Sequence, residues 1–140
     1  DGSTALYDAM VFSLLQLQGV PGKRALIVLS DGKDSGSRYT LDDVVHVARE
    51  TGASIYLVLL SSSTPARLNA LATESGGRVW DLRDTKQLDS IYATIARELR
   101  SQYRLTFQTA ARDRNQFRRV VVRTELPEVK VRTSSGFFPR

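Results

Sequence analysis

Arg24-Ala25-Leu26-Ile27-Val28-Leu29-Ser30-Asp31-Gly32 is the stretch that decides the fold. Its apolar residues run without alternation and stop at a turn pair. A run of that length and composition predicts a strand covered on both faces, the habit of parallel sheets flanked by helices. A second such run, Ser54 to Leu60, follows. Between them lies a helical pattern: Leu41, Val44, Val45 and Ala48, with Thr40 as N-cap, Asp42 and Asp43 in the first turn, and Gly52 as the stop. Strand, helix, strand in this order implies a right-handed crossover and a parallel pair.

The same alternation extends outward. Upstream, Thr4 to Leu17 is apolar nearly all round and predicts a buried helix closed by Gly19, Pro21 and Gly22. Downstream, Thr64-Pro65 predicts an N-cap and a first helical residue. Leu68, Leu71 and Ala72 form that helix's inner face, and Gly76-Gly77 end it. Arg78 to Asp81 predicts a short third strand. Leu88, Ile91, Tyr92, Ile95 and Leu99 mark a helix capped by Asp84 or Thr85. Beyond it the period changes to two. Tyr103, Leu105 and Phe107, then Val120 and Val122, then Val129 and Val131 alternate with polar neighbours, which predicts antiparallel strands with one buried face. The expected fold class is α/β: a three-layer parallel sheet over residues 1–102, with a basic antiparallel strand extension over 103–140.

Composition excludes several chemistries. The 140 residues are 41% hydrophobic and 25% charged, enough apolar material for a core. With no Cys, disulfide scaffolds, thiolate metal sites and thiol catalysis are ruled out. His46 is the single His, which removes multi-His metal sites and leaves a Ser nucleophile without a base. It falls off the inner face of its helix and is assigned no role. No GxGxxG or GxxxxGK[ST] occurs, and no apolar run is long enough to span a membrane. The net charge of +5 is uneven. Residues 97–140 hold eleven Lys/Arg against four Asp/Glu. One wet sheet face accounts for that pattern, and no nucleic-acid signature accompanies it, so nucleic acid is not an expected partner.

In sheets of this kind ligands bind beyond the carboxyl ends of the strands, where strand order reverses. Asp31 stands at such an end. Alone, Asp31-Gly32 is a favoured turn pair, and alone Thr4 is an N-cap. Together, a hydroxyl at a helix start and a carboxylate at a strand end offer oxygen donors to a hard cation such as Mg²⁺. Asp8 reads as a first-turn acid favoured by the helix dipole. Asp34, Ser35 and Ser37 read as solvated loop, Lys33 as a surface residue, and Trp80 and Tyr56 as core or near-core. Phe137-Phe138-Pro139 is expected to pack the C-terminus.

Gly2-x-Thr4-x-Leu6-Tyr7-Asp8-Ala9 and Leu29-Ser30-Asp31-Gly32-x-Asp34 resemble the second and third loops of the metal-ion-dependent adhesion site of von Willebrand factor A-type domains, as bacterial members write them. The resemblance covers about residues 1–102. It implies a Rossmann-like sheet and a non-enzymatic, cation-dependent protein-binding module. Thr4 would ligate Mg²⁺ (or Mn²⁺ or Ca²⁺) directly and Asp31 through water. Ser3, Lys33, Asp34 and Ser35 would line the ligand rim, and a partner's Asp or Glu would complete the coordination. It also implies export, although the chain itself carries no address. The family's Asp-x-Ser-x-Ser loop and first strand are absent from these 140 residues. A preceding segment or a second chain is therefore expected to complete the sheet, and the cation is expected to bind weakly without it. A second reading is an accessory module of an ATPase or metal-chelatase assembly. A third is a scaffold with a vestigial site whose basic strands bind acidic polymer.

Overall fold

The computed structural model describes residues 3–61, 64–110 and 113–139. Its centre is β2 (Ser54–Leu59), whose last five residues are all buried. β1 (Ala25–Ser30) pairs with it in parallel, Ile27 opposite Tyr56 and Leu29 opposite Val58. β3 (Arg78–Asp81) pairs in parallel on the other side, Val79 opposite Leu57. The three-strand sheet thus runs in chain order, β1-β2-β3.

Helices cover both faces because β2 is apolar on both. Ile55, Leu57 and Leu59 point to one side. They pack with Leu6, Met10, Val11 and Leu14 of α1 (Leu6–Gln16), with Val44 and Ala48 of α2 (Leu41–Thr51), and with Leu68 and Leu71 of α3 (Ala66–Glu74). Tyr56 and Val58 point to the other and meet Ile91 and Ile95 of α4 (Leu88–Arg100), with Trp80 stacked on Tyr56 at 6.1 Å. The α3–β3 corner is tight: a Cβ on Gly77 would lie 1.8 Å from the Ile55 carbonyl oxygen, so only glycine fits there. No helix among the described residues is long and apolar enough to cross a membrane.

α2 forms as its pattern predicts. The Thr40 hydroxyl accepts from the Asp43 N–H, the Asp43 carboxylate accepts from the Thr40 N–H at 2.7 Å, and Gly52 closes the helix at φ 63°. Other ends differ by short steps. Pro65, not Thr64, is the N-cap of α3, and the Thr64 hydroxyl instead donates to Asp81. Asp84 caps a 3-10 turn, Thr85–Gln87, that precedes α4.

Three expectations are corrected. The run at 24–30 is not a strand covered on both faces: among the described residues β1 pairs only with β2, Ala25 at its start packs against the α4 cluster, and Ile27 and Leu29 further along are 38% and 47% exposed. β1 thus has one flank without a partner strand among the described residues. α1 is not buried nearly all round: Phe12 and Leu15 lie open. The strand extension shrinks to a ribbon of two-residue strands, β4 (Arg118–Arg119) antiparallel to β5 (Gly136–Phe137), plus an isolated bridge from Ser75 to Ser134. Residues 102–110 form no strand, and Tyr103 is 93% exposed. Alternation supplies an apolar face, but among the described residues no second layer covers it, and a lone ribbon is marginal. The ends do pack as expected: Phe138 meets Phe117 edge-on at 5.4 Å, and Pro139 is buried.

The two strands should respond differently to truncation. Leu57→Ala should cost about 2–5 kcal/mol of unfolding free energy, and Leu29→Ala less than about 1 kcal/mol, since only the first empties a filled interior site. Urea unfolding of both variants checks this.

Candidate functional site

At the carboxyl end of β1 the chain turns on its own side chains. The Ser30 hydroxyl accepts from the Gly32 N–H at 3.1 Å, the Asp31 carboxylate accepts from the Lys33 N–H at 3.1 Å, and Gly32 takes φ 79°. The loop then closes on the start of α1. Ser35 and Gly36 N–H groups donate to the Thr4 carbonyl at 2.9 and 3.1 Å, and the Thr4 N–H donates to the Ser35 hydroxyl at 3.1 Å. A Cβ on Gly36 would sit 2.7 Å from the Ser3 hydroxyl, so a side chain there would force Ser3 to shift.

Thr4 therefore does not cap α1. The N-cap position is Ala5, which makes no side-chain cap bond. The orphan N–H groups of the first turn are met from the loop instead. The Asp34 carboxylate accepts from the Tyr7 N–H at 3.2 Å, and the Ser37 hydroxyl accepts from the Asp8 N–H at 3.0 Å while donating to Asp34 at 2.5 Å. In return, one oxygen of Asp8 accepts from the Arg38 and Tyr39 N–H groups at 2.8 and 2.9 Å. Asp34, Ser35 and Ser37 are thus not simply solvated loop, and Asp8 does more than face the helix dipole. All four lock the loop to the helix. The Ser37 hydroxyl, joined by N–H groups of Tyr7, Ser37 and Leu6, holds the Asp34 carboxyl below the ordinary carboxylate range against partial desolvation.

Ser3, Thr4, Asp34 and Ser35 are brought together at this junction. Asp31 and Lys33 sit exposed at its outer side and are joined to each other through the Lys33 N–H. Gly2 lies outside the described residues. As a cation site the donors fit in kind, a hydroxyl and a free carboxylate oxygen, but not in number. Asp34 and Asp8 are occupied by N–H donors, and no three His, Asp or Glu side chains gather as a metal-holding group among the described residues. Strand order does not reverse within β1-β2-β3, so the reversal point expected beside Asp31 is not found among the described strands. His46 has a local role only: it pairs with Glu50 at 3.3 Å and meets Phe138 edge-on.

Sequence reasoning passed over Gly36, whose clue is its place between two serines in a loop that must approach another backbone. It also passed over Arg49, which lies over the Phe117 ring at 4.7 Å and pairs with Glu74 at 2.8 Å, so that the tail docks on α2. No family model, no curated protein and no solved structure matches the chain.

The lowered Asp34 titration carries a sign. A carboxylate held below its unfolded value stabilises the fold above that value, and the contribution fades as pH falls through the lowered folded value. Asp34→Asn should lower the melting temperature at neutral pH, and its deficit against wild type should shrink on acidification. Parallel melts across that pH range test it; a deficit independent of pH would count against the carboxylate.

Proposed function

We propose that this chain is the larger part of a Rossmann-like, von Willebrand factor A-type module that binds a protein partner through a divalent cation at the carboxyl end of β1, without catalysis. The observation that supports this most is the hydrogen-bonded junction of Thr4 with Ser35 and Gly36, which sets the start of α1 against the loop that follows Asp31. Two segments far apart in the chain, each resembling a loop of one cation site, meet in space.

On this reading the Thr4 hydroxyl and the Asp31 carboxylate hold Mg²⁺, which when bound offers an open position to an Asp or Glu of the partner. Asp34, Ser37 and Asp8 are positioning residues: they fix the loop and leave the cation to others. Ser3, Lys33 and Ser35 form the rim that the partner meets. The remaining oxygen ligands come from chain seated along the open flank of β1.

Calorimetric titration with Mg²⁺ tests the donor set. The 140-residue chain should bind weakly, and Thr4→Ala or Asp31→Ala should abolish the residual heat without altering the circular dichroism. Tight binding by this chain alone, or heat unchanged in both variants, would overturn the proposal.

A further inference from the structure

β1 ends the sheet with an edge open to a further strand. The Arg24 and Ser30 carbonyls accept from the Ser54 and Leu60 N–H groups at 3.0 and 2.7 Å, so both face β2. Backbone direction alternates along a strand, so the N–H and C=O groups of Ala25, Ile27 and Leu29 face away from β2. No described strand meets them, and Ala25–Ser30 carries no charge or Pro to blunt the edge. Ile27 and Leu29 stand opposite Tyr56 and Val58, which meet α4, so their side chains lie on the α4 face, and there they stay open.

The segment after α4 has the complementary lack. Tyr103, Leu105 and Phe107 alternate with Arg104, Thr106 and Gln108, yet they form no strand and all three apolar side chains are exposed. The segment also starts in the right place. The Lys23 Nζ donates to the Leu99 carbonyl at 2.9 Å, and Ala25 and Leu99 pack on one cluster, so α4 ends beside the start of β1. Only Ser101 and Gln102 separate the helix from the alternation, an ordinary link length. α2 and α3 carry the chain from β1 to β3 on one face, and α4 lies on the other. A return from α4 to the far side of β1 is then the right-handed crossover that parallel sheets use. We infer that residues 103–108 close on the open flank of β1 as a fourth, parallel strand, with Tyr103, Leu105 and Phe107 beside Ala25, Ile27 and Leu29 on the α4 face. Closure gives up the contact of Phe107 with Phe137 at 5.3 Å and covers Ile27 and Leu29 in exchange. Residues 109–118 span up to about 33 Å, enough to return along a strand of about 20 Å. Strand order then reverses between the new strand and β1, beside Asp31. One edge takes one strand, so the closed segment keeps off β1 the chain that the cation reading requires there. Closure itself does not depend on that reading.

Amide hydrogen exchange on the 140-residue chain, without added cation, tests it apart from the Mg²⁺ titration. With Leu105 beside Ile27, the Thr106 N–H faces the Ile27 carbonyl, and Thr106→Pro removes that donor at an exposed position. The Ile27 and Leu29 N–H groups should exchange about tenfold or more slower in wild type than in Thr106→Pro, with the β2 amides alike in both. The chain has no Cys, so introduced pairs report placement directly. A cross-linker bridging thiols about 5 Å apart should join Ile27→Cys to Leu105→Cys within one chain. It should not join Ile27→Cys to Thr106→Cys, whose side chain points to the other face. Equal exchange of Ile27 and Leu29 in wild type and Thr106→Pro overturns the inference, as does equal linking of both Cys pairs. Slow exchange that disappears on dilution also overturns it, since the edge is then covered by a second copy.

Discussion

Everything in this fold follows from the burial of β2. Ile55 to Leu59 have no exposed side, so both faces need a helical cover and both edges need a partner strand. Each buried aliphatic side chain there contributes about 1.5–3 kcal/mol, more than any single surface contact in the molecule. The pairing continues past the strand ends, where Leu60 donates to the Ser30 carbonyl at 2.7 Å and Leu82 to the Leu59 carbonyl at 2.7 Å. At the other end the Ser75 hydroxyl accepts from the Ile55 N–H, and Gly77 lets the next backbone pass close to it. A strand so enclosed has one register, and β1 and β3 inherit it.

That register delivers the loop after β1 to the start of α1. The junction there is polar and reciprocal: each side supplies carboxylate or hydroxyl acceptors for the other's N–H groups. A helix start whose cap comes from a distant loop loses about 0.5–2 kcal/mol of support without that loop. The order of this junction is therefore coupled to the sheet through β1, and it is held by the core as well as by its own few residues.

Local signals were the legible ones. The Thr40 N-cap, the Gly52 stop and the apolar run of β2 each lie within a few residues of the chain, and each formed where the pattern put it; the reciprocal bond from Thr40 to Asp43 was added by the fold. Features set by distant partners were not legible. Thr4 has the chemistry of a cap, yet Asp34 and Ser37 fill that role, and nothing near Thr4 announces it. Residues 103–108 have the alternation of a strand, but a strand is defined by its neighbour, and the alternation does not supply one. The meeting of Ser3, Thr4 and Ser35 has no local signal in the sequence. Their hydrogen bonds required the fold.

The bridge from Ser75 to Ser134 has a kinetic meaning. The β1-α2-β2-α3-β3 units join neighbours in sequence, whereas this bridge and the bond from the Ser135 N–H to the Glu74 carbonyl at 2.7 Å join residues far apart. Contacts of such long separation must first overcome loop closure. Docking of the tail therefore carries a larger loop-closure cost than pairing within the sheet. Residues 103–139 also leave the ribosome after β1-β2-β3, so this closure is the last of these to become possible.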